Sequence, residues 1–149
     1  MKTIGDLGED GLIAELCRSL SSSDRVLVGP GDDCAVVEVG EKLILLKTDA
    51  VVEGVHYLPD EDSKRVGWKA VARVLSDFAA MGGEAAELLV TVAVSRDVEV
   101  EWLTDLYEGM QSCLEQFDGV IVGAPSGNEV VSPPTITPAN CSRQDCIPS

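Results

Sequence analysis

The sequence predicts an α/β domain of the α+β kind, and three observations predict it. Apolar residues recur at helical spacing in three separate stretches. Short apolar, β-branched runs fall between those stretches, and glycine-rich or polar turns separate the two kinds of segment. The resulting order is helix, hairpin, helix, strand, helix, strand, an alternation that builds on one core. A chain of 149 residues hides roughly 70% of its unfolded surface on folding, enough for one such core.

Each element has its own signal. Residues 9–20 set Leu12, Ile13, Leu16 and Leu20 on one side of an amphipathic helix, which Ser21-Ser22-Ser23-Asp24 ends. Val26-Leu27-Val28 then leads into Gly29-Pro30-Gly31-Asp32-Asp33, a turn by composition. Residues 34–39 and 42–48 are two β-rich runs joined by Gly40-Glu41, a two-residue hairpin loop. From residue 63 to 81, Val66, Ala70, Val74 and Phe78 fall four apart in a helix that Gly82-Gly83 stops. Residues 88–94 read as a strand and 100–117 as a helix, and Asp118-Gly119 turns into the strand Val120-Ile121-Val122.

The character changes after Gly123. Residues 124–149 hold five of the seven prolines, at 125, 133, 134, 138 and 148. Proline removes backbone donors and fixes φ, so beyond a short Val130-Val131 stretch no regular structure is expected. The expected organisation is therefore a domain over 1–123 and a poorly ordered, Pro-rich tail over 124–149.

Composition excludes several classes of function. Acidic side chains number 26 against 11 basic ones, for a net charge of −15 and a pI near 4.2. No basic surplus exists to displace counterions from nucleic acid. An apolar fraction of 45% and a mean hydropathy of +0.14 set the chain apart from acidic disordered tails. No run approaches the ~18 apolar residues of a membrane span, and no apolar leader is visible at Met1-Lys2-Thr3-Ile4. The five cysteines include no C-x-x-C pair, and a single histidine rules out a Cys/His zinc finger. Cys17 and Cys113 read as small core residues, and a reducing cytoplasm is the expected compartment.

Three acidic spots fall at loops or element ends. Asp32-Asp33 sits in the glycine turn, Thr48-Asp49 ends the second hairpin strand, and Ser76-Asp77 interrupts the apolar helix between Leu75 and Phe78. A partly buried aspartate is costly unless paired or bound to a cation. Hard divalent ions take oxygen ligands, and Mg²⁺ commonly uses one or two carboxylates with phosphates and water. Carboxylates from three elements could thus build a Mg²⁺–phosphate site. Plainer readings stand beside this one. Asp-Asp in a glycine turn is ordinary turn chemistry. Thr-Asp after a strand is a common helix cap. An intrahelical pair with Arg73 would satisfy Asp77, and the sole histidine, His56, reads on spacing alone as a packed or surface residue.

Taken together, three segments resemble the thiamine-monophosphate kinase family. They are Gly31-Asp32-Asp33-Cys34-Ala35, Lys47-Thr48-Asp49-Ala50-Val51-Val52-Glu53-Gly54-Val55-His56-Tyr57 and Leu75-Ser76-Asp77-Phe78-Ala79-Ala80-Met81-Gly82-Gly83, in the family's order and spacing. Gly8-Glu9-Asp10-Gly11-Leu12-Ile13 is similar to its N-terminal helix start, and Leu106-Tyr107-Glu108-Gly109 to its second long helix. The resemblance covers residues 4–123, about the N-terminal half of a full-length member. The Glu-Gly-Val-His-Tyr segment separates this family from the aminoimidazole ribonucleotide synthetases, selenophosphate synthetases and hydrogenase-maturation proteins.

The resemblance implies ATP-dependent phosphorylation of thiamine monophosphate to thiamine diphosphate with several Mg²⁺ ions. It also implies an N-terminal domain of the aminoimidazole-ribonucleotide-synthetase type, a mixed sheet with helices on one face whose strands form a barrel at a homodimer interface. By position, Asp33, Thr48, Asp49 and Asp77 match metal ligands with Asp32 beside them, and His56 matches a contact to the thiamine phosphate. Tyr107 and Gly123 lie where nucleotide contacts are made. No nucleophilic side chain is required, because phosphoryl transfer rests on positioning and charge neutralisation. No Walker-type Gly-Lys-Ser/Thr loop is present.

Two departures matter. Val74 stands where the family has asparagine. Val120-Ile121-Val122-Gly123 continues as Ala124-Pro125, so Pro125 takes the place of a further metal-binding aspartate. The abrupt change suggests a truncated or out-of-frame product that turns over little by itself. Two alternatives remain open: a non-catalytic Mg²⁺- and nucleotide-binding dimerisation module, and a relative of the aminoimidazole ribonucleotide synthetase kind.

Overall fold

The computed structural model describes residues 3–123 and, as a strand, residues 135–144. Helix α1 (Ile4–Cys17) is followed by strands β1 (Val26–Val28), β2 (Ala35–Val39), β3 (Lys42–Thr48) and β4 (Val51–Val52). Next come α2 (Ser63–Ala80), β5 (Glu84–Ala93) and α3 (Val100–Leu114), which a 3₁₀ turn extends over Glu115–Phe117. Strands β6 (Val120–Gly123) and β7 (Thr135–Gln144) complete the order. The strands form one mixed sheet in the order β1-β2-β3-β7-β5-β6, with β4 also paired to β7. Among the described strands β5 and β6 run parallel, and the other pairs are antiparallel.

Helix α1 starts earlier than its apolar pattern. Thr3 accepts from the Asp6 N–H while the Asp6 carboxylate accepts from the Thr3 N–H, and this capping box moves the start back to Ile4. The helix breaks at Gly8, where φ is 68°, and buries none of its residues. Cys17 is accordingly only half-buried, whereas Cys113 lies in the core as expected.

Helix α2 follows its pattern closely. Asp62 caps it by accepting from the Arg65 N–H, and Val66, Ala70, Val71, Val74, Leu75 and Phe78 are buried along one face. Burying each of the valine, leucine and phenylalanine side chains contributes about 1.5–3 kcal/mol relative to leaving it exposed. Gly82 ends the helix at a φ of 68°, while the Gly82 and Gly83 N–H groups return to the carbonyls of Ala79 and Phe78. Helices α2 and α3 cover one face of the sheet, where Val36, Leu45, Leu88 and Val90 are buried. On the opposite face Leu46, Leu89, Val120 and Val122 are exposed. A mixed sheet with helices on one face is thus the fold the sequence predicts, and the described strands leave it open.

Strand β7 corrects the expectation of an irregular tail. Leu43 to Thr48 pair with residues 144 to 139, and β5 pairs along the other edge of the same strand. Ladders on both sides satisfy its backbone, and Thr135-Ile136-Thr137 supplies β-branched residues suited to a pleat. Proline is normally excluded from a central strand because it lacks a donor. Pro138 falls between the β3 partners, which stop at Ala139, and the β4 partners, which begin at Ile136. The break in pairing at Asp49-Ala50 lies opposite it. Residues 124–134 and 145–149, with Pro125 and Val130-Val131, lie outside the described residues.

Candidate functional site

Asp49 follows the last residue of β3, and its Oδ1 accepts from the Ala50 N–H at 2.7 Å. Its Oδ2 accepts from Arg73 Nε at 2.9 Å, across from helix α2. Burial raises the Asp49 pKa, but the Arg73 hydrogen bond, the Ala50 N–H and the charges of Arg73 and Lys47 outweigh it, leaving the carboxyl below its usual value. Asp77, in the last turn of α2, is half-buried and holds Lys47 Nζ at 2.8 Å. That hydrogen bond, helped by the Asp77 and Asp49 charges, raises the Lys47 pKa against the opposing effect of burial. The intrahelical Arg73–Asp77 pair expected from spacing is therefore replaced by two cross-element pairs, because both strand-end partners lie within reach.

The remaining candidates lie around this pair. Asp32 and Asp33 are exposed, and the Asp32 carboxylate turns back to accept from the Asp33 N–H at 2.8 Å. The buried Cys34 thiol feels the charges of Lys47, Asp77, Asp33 and Asp32. Its pKa is pushed up to about 11, mainly by burial. Among the described residues, no three acidic, histidine or cysteine side chains converge closely enough to hold a metal ion. The donor set still has the chemistry of a hard-cation site, with carboxylate and hydroxyl oxygens only. It is Lys47 and Arg73 that neutralise Asp77 and Asp49 here.

His56 sits in a pinned loop. Its Nδ1 accepts from the Val52 N–H at 3.0 Å, its own N–H returns to the Val52 carbonyl, and Lys69 Nζ donates to its carbonyl. Nε2 is left as the ring nitrogen available to a ligand. Lys69 is a positioning contact that spacing in the sequence does not reveal. Beside the loop, Tyr57 is buried against Trp102 with its hydroxyl unpartnered.

Thr48 and Gly123 are linked through the sheet. Thr48 pairs with Ala139, Ala139 with Leu89, and Leu89 with Gly123, so all four lie in one transverse row. Three strand spacings put Thr48 and Gly123 about 14 Å apart. A Cβ at Gly123 would lie 2.7 Å from Leu89 Cδ2, so a side chain there would require the half-exposed Leu89 side chain to shift. Tyr107 lies on α3, lining a groove of about 600 Å³ with Leu103, Gln111 and Ile121. A second cleft, of about 620 Å³ between Trp68, Leu75, Phe78 and Phe117, lies on the helix side and is lined by none of the candidate ligands.

Comparison with known proteins adds a family. The profile described as "AIR synthase related protein, N-terminal domain" matches residues 31–139, running past Gly123 into β7. The chain is 33% identical over 125 residues to the thiamine-monophosphate kinase of Synechococcus elongatus, covering 82% of this chain and 36% of that protein. It is 39% identical over 118 residues to the Escherichia coli thiamine-monophosphate kinase, covering 78% and 36%. Among solved structures, "AaThiL complexed with AMPPCP and TMP" superposes with a TM-score of 0.86 at 31% identity, over 96% of this chain and 44% of that one. The chain spans about a third of the length of the curated relatives it matches.

Proposed function

The chain belongs to the AIR synthase related family through its N-terminal domain, and on that premise we propose that it is the metal- and phosphate-binding part of a thiamine-monophosphate kinase. Asp33, Thr48, Asp49 and Asp77, with Asp32 beside them, would hold Mg²⁺. His56 would contact thiamine monophosphate, and Tyr107 and Gly123 the nucleotide. The observation that carries this reading is that Asp49 at the end of β3 and Asp77 on α2 are tied across the same strand–helix junction, Asp77 to Lys47 and Asp49 to Arg73, while the Asp32-Asp33 turn leads into β2, the strand paired to β3. The similarity to a structure holding AMPPCP and TMP supports it.

The metal would supply charge neutralisation on the phosphates. The chain's own residues position it: β3 delivers Thr48 and Asp49, α2 delivers Asp77, and the Val52 and Lys69 contacts fix His56. Cytoplasmic location belongs to the same reading; among the described residues no helix is long and apolar enough to cross a membrane. With Pro125 in the place of a further aspartate, turnover by this chain alone is expected to be slight. Steady, Asp49-dependent formation of thiamine diphosphate from ATP and thiamine monophosphate would contradict that expectation.

The open sheet face supports a homodimer as part of the same reading. Val39, Leu46, Leu89, Val120 and Val122 are exposed large apolar residues, and contiguous apolar patches mark association surfaces. Calorimetric titration with thiamine monophosphate, AMPPCP and Mg²⁺ tests the function. Binding of either ligand that is lost in Asp77→Asn is expected; binding of neither overturns the reading.

A further inference from the structure

The two most central candidate ligands are each already held by a cation of the chain itself. Lys47 Nζ lies 2.8 Å from Asp77 Oδ2, and Arg73 Nε lies 2.9 Å from Asp49 Oδ2. Both pairs are partly open to solvent: the side chains are 25% and 24% exposed in the first, 41% and 23% in the second. Lys47 also acts on Asp49, so the two pairs form one electrostatic group.

We infer that Lys47 and Arg73 are internal competitor cations that occupy the metal-binding carboxylates until a divalent ion displaces them, and so set the metal affinity of the site. The inference rests on the reading of Asp49 and Asp77 as metal ligands. Mg²⁺ binds carboxylate oxygen at 2.0–2.1 Å, and an ammonium hydrogen-bonded to the same carboxylate would then lie within about 5 Å of the ion. Like charges at that separation repel, even where solvent partly screens them. Metal entry therefore breaks both pairs and leaves two cationic side chains beside the ion. Those side chains are suited to the phosphate oxygens of a bound nucleotide. This accounts for the absence of a converged acidic triad among the described residues, since the carboxylates are drawn toward separate partners.

The test is a Mn²⁺ titration of the 149-residue chain, followed by electron paramagnetic resonance of the free ion at low salt and without nucleotide. Removing a competing pair of about 1 kcal/mol should tighten Mn²⁺ binding by about fivefold. That gain is expected in Lys47→Met and in Arg73→Met, while Asp77→Asn and Asp49→Asn lose Mn²⁺. The same two cation variants should bind the Mn²⁺–AMPPCP complex more weakly than wild type. Unchanged or weaker Mn²⁺ binding in both cation variants, with binding still lost in the aspartate variants, overturns the competitor role and leaves the metal site standing. Wild-type affinity in Asp77→Asn and Asp49→Asn overturns the metal site itself. Should Lys47→Met misfold by circular dichroism, the Arg73 Nε–H resonance of wild type decides. Its loss or displacement at saturating Mg²⁺ supports the inference, and an unmoved resonance refutes it.

Discussion

Gly67 on α2 and Gly109 on α3 face each other's backbones at the point where the two helices cross. A Cβ at Gly67 would lie 2.0 Å from the Leu106 carbonyl oxygen, and one at Gly109 would lie 1.9 Å from that of Lys64. Backbone meets backbone at both places, so no side chain can move aside. This close approach locks α2, the helix that carries Arg73 and Asp77, against α3, and Lys64 reaches Asp105 and Glu108 across the same crossing. The fold therefore positions the site through a contact far from it.

Substituting either glycine tests that dependence. Alanine gains about 1 kcal/mol of helix propensity over glycine, and an exposed site would be stabilised. Here overpacking dominates, and Gly67→Ala and Gly109→Ala should each cost about 2 kcal/mol or more in urea unfolding. A stabilised variant would show that the crossing is looser than described.

Tyr57 gives a prediction of opposite sign. Its ring is buried, its hydroxyl has no partner, and burial with the nearby Glu53 charge pushes its pKa up to about 12. An unsatisfied buried hydroxyl costs about 1–3 kcal/mol. Tyr57→Phe should therefore raise the melting temperature, by about 3 °C for a chain of this size. Ultraviolet titration should show a smaller tyrosinate amplitude at the alkaline end in the variant, where only Tyr107, also raised by burial, remains. A lowered melting temperature would mean that the hydroxyl is satisfied.

Asp49 sets a pH dependence. Its native carboxyl lies below the ordinary value of 3.8, so its stabilising contribution is complete above that value and is lost as the pH falls through the lowered one. Asp49→Asn should be less stable than wild type at pH 7, by about 1 kcal/mol for a pair partly screened by solvent. The difference should close below about pH 4. Thermal melts of both proteins from pH 2 to 8 measure it, and a gap that widens toward acid would reverse the assignment.

The open face predicts association. Leu89→Lys puts a charge in the exposed apolar row without touching the buried Leu88 and Val90. Light scattering should find wild type as a dimer and the variant as a folded monomer with an unchanged far-ultraviolet circular dichroism spectrum, its melting temperature lower only by what association contributes. A monomeric wild type would remove the dimer from the proposed function.

How far the sequence was legible follows from which signals are local. Helix α2 announces itself through Val66, Ala70, Val74 and Phe78, and the hairpin through Gly40-Glu41, because periodicity and turn chemistry lie within a few residues. Strand β7 does not, because Pro138 argues against it locally and only pairing with β3 and β5 makes it a strand. The early start of β5 at Glu84 has the same origin, since Glu84 pairs with Arg143 while Glu84-Ala85-Ala86-Glu87 carries little strand propensity. The site divides in the same way. The aspartates stand out by their placement at element ends, but their partners do not. Arg73 lies four residues before Asp77 and reads as its partner, yet it bonds Asp49, because tertiary distance overrides sequence spacing.

Asp49 and Asp77 as metal ligands require nucleotide binding that depends on Mg²⁺. Isothermal titration of AMPPCP into the chain, with 5 mM Mg²⁺ (roughly a tenfold excess over a submillimolar nucleotide site) and then with a chelator, measures it. The predicted result is binding with Mg²⁺ that is lost in chelator and in Asp49→Asn. Equal binding in chelator, or undiminished binding by Asp49→Asn, would contradict it.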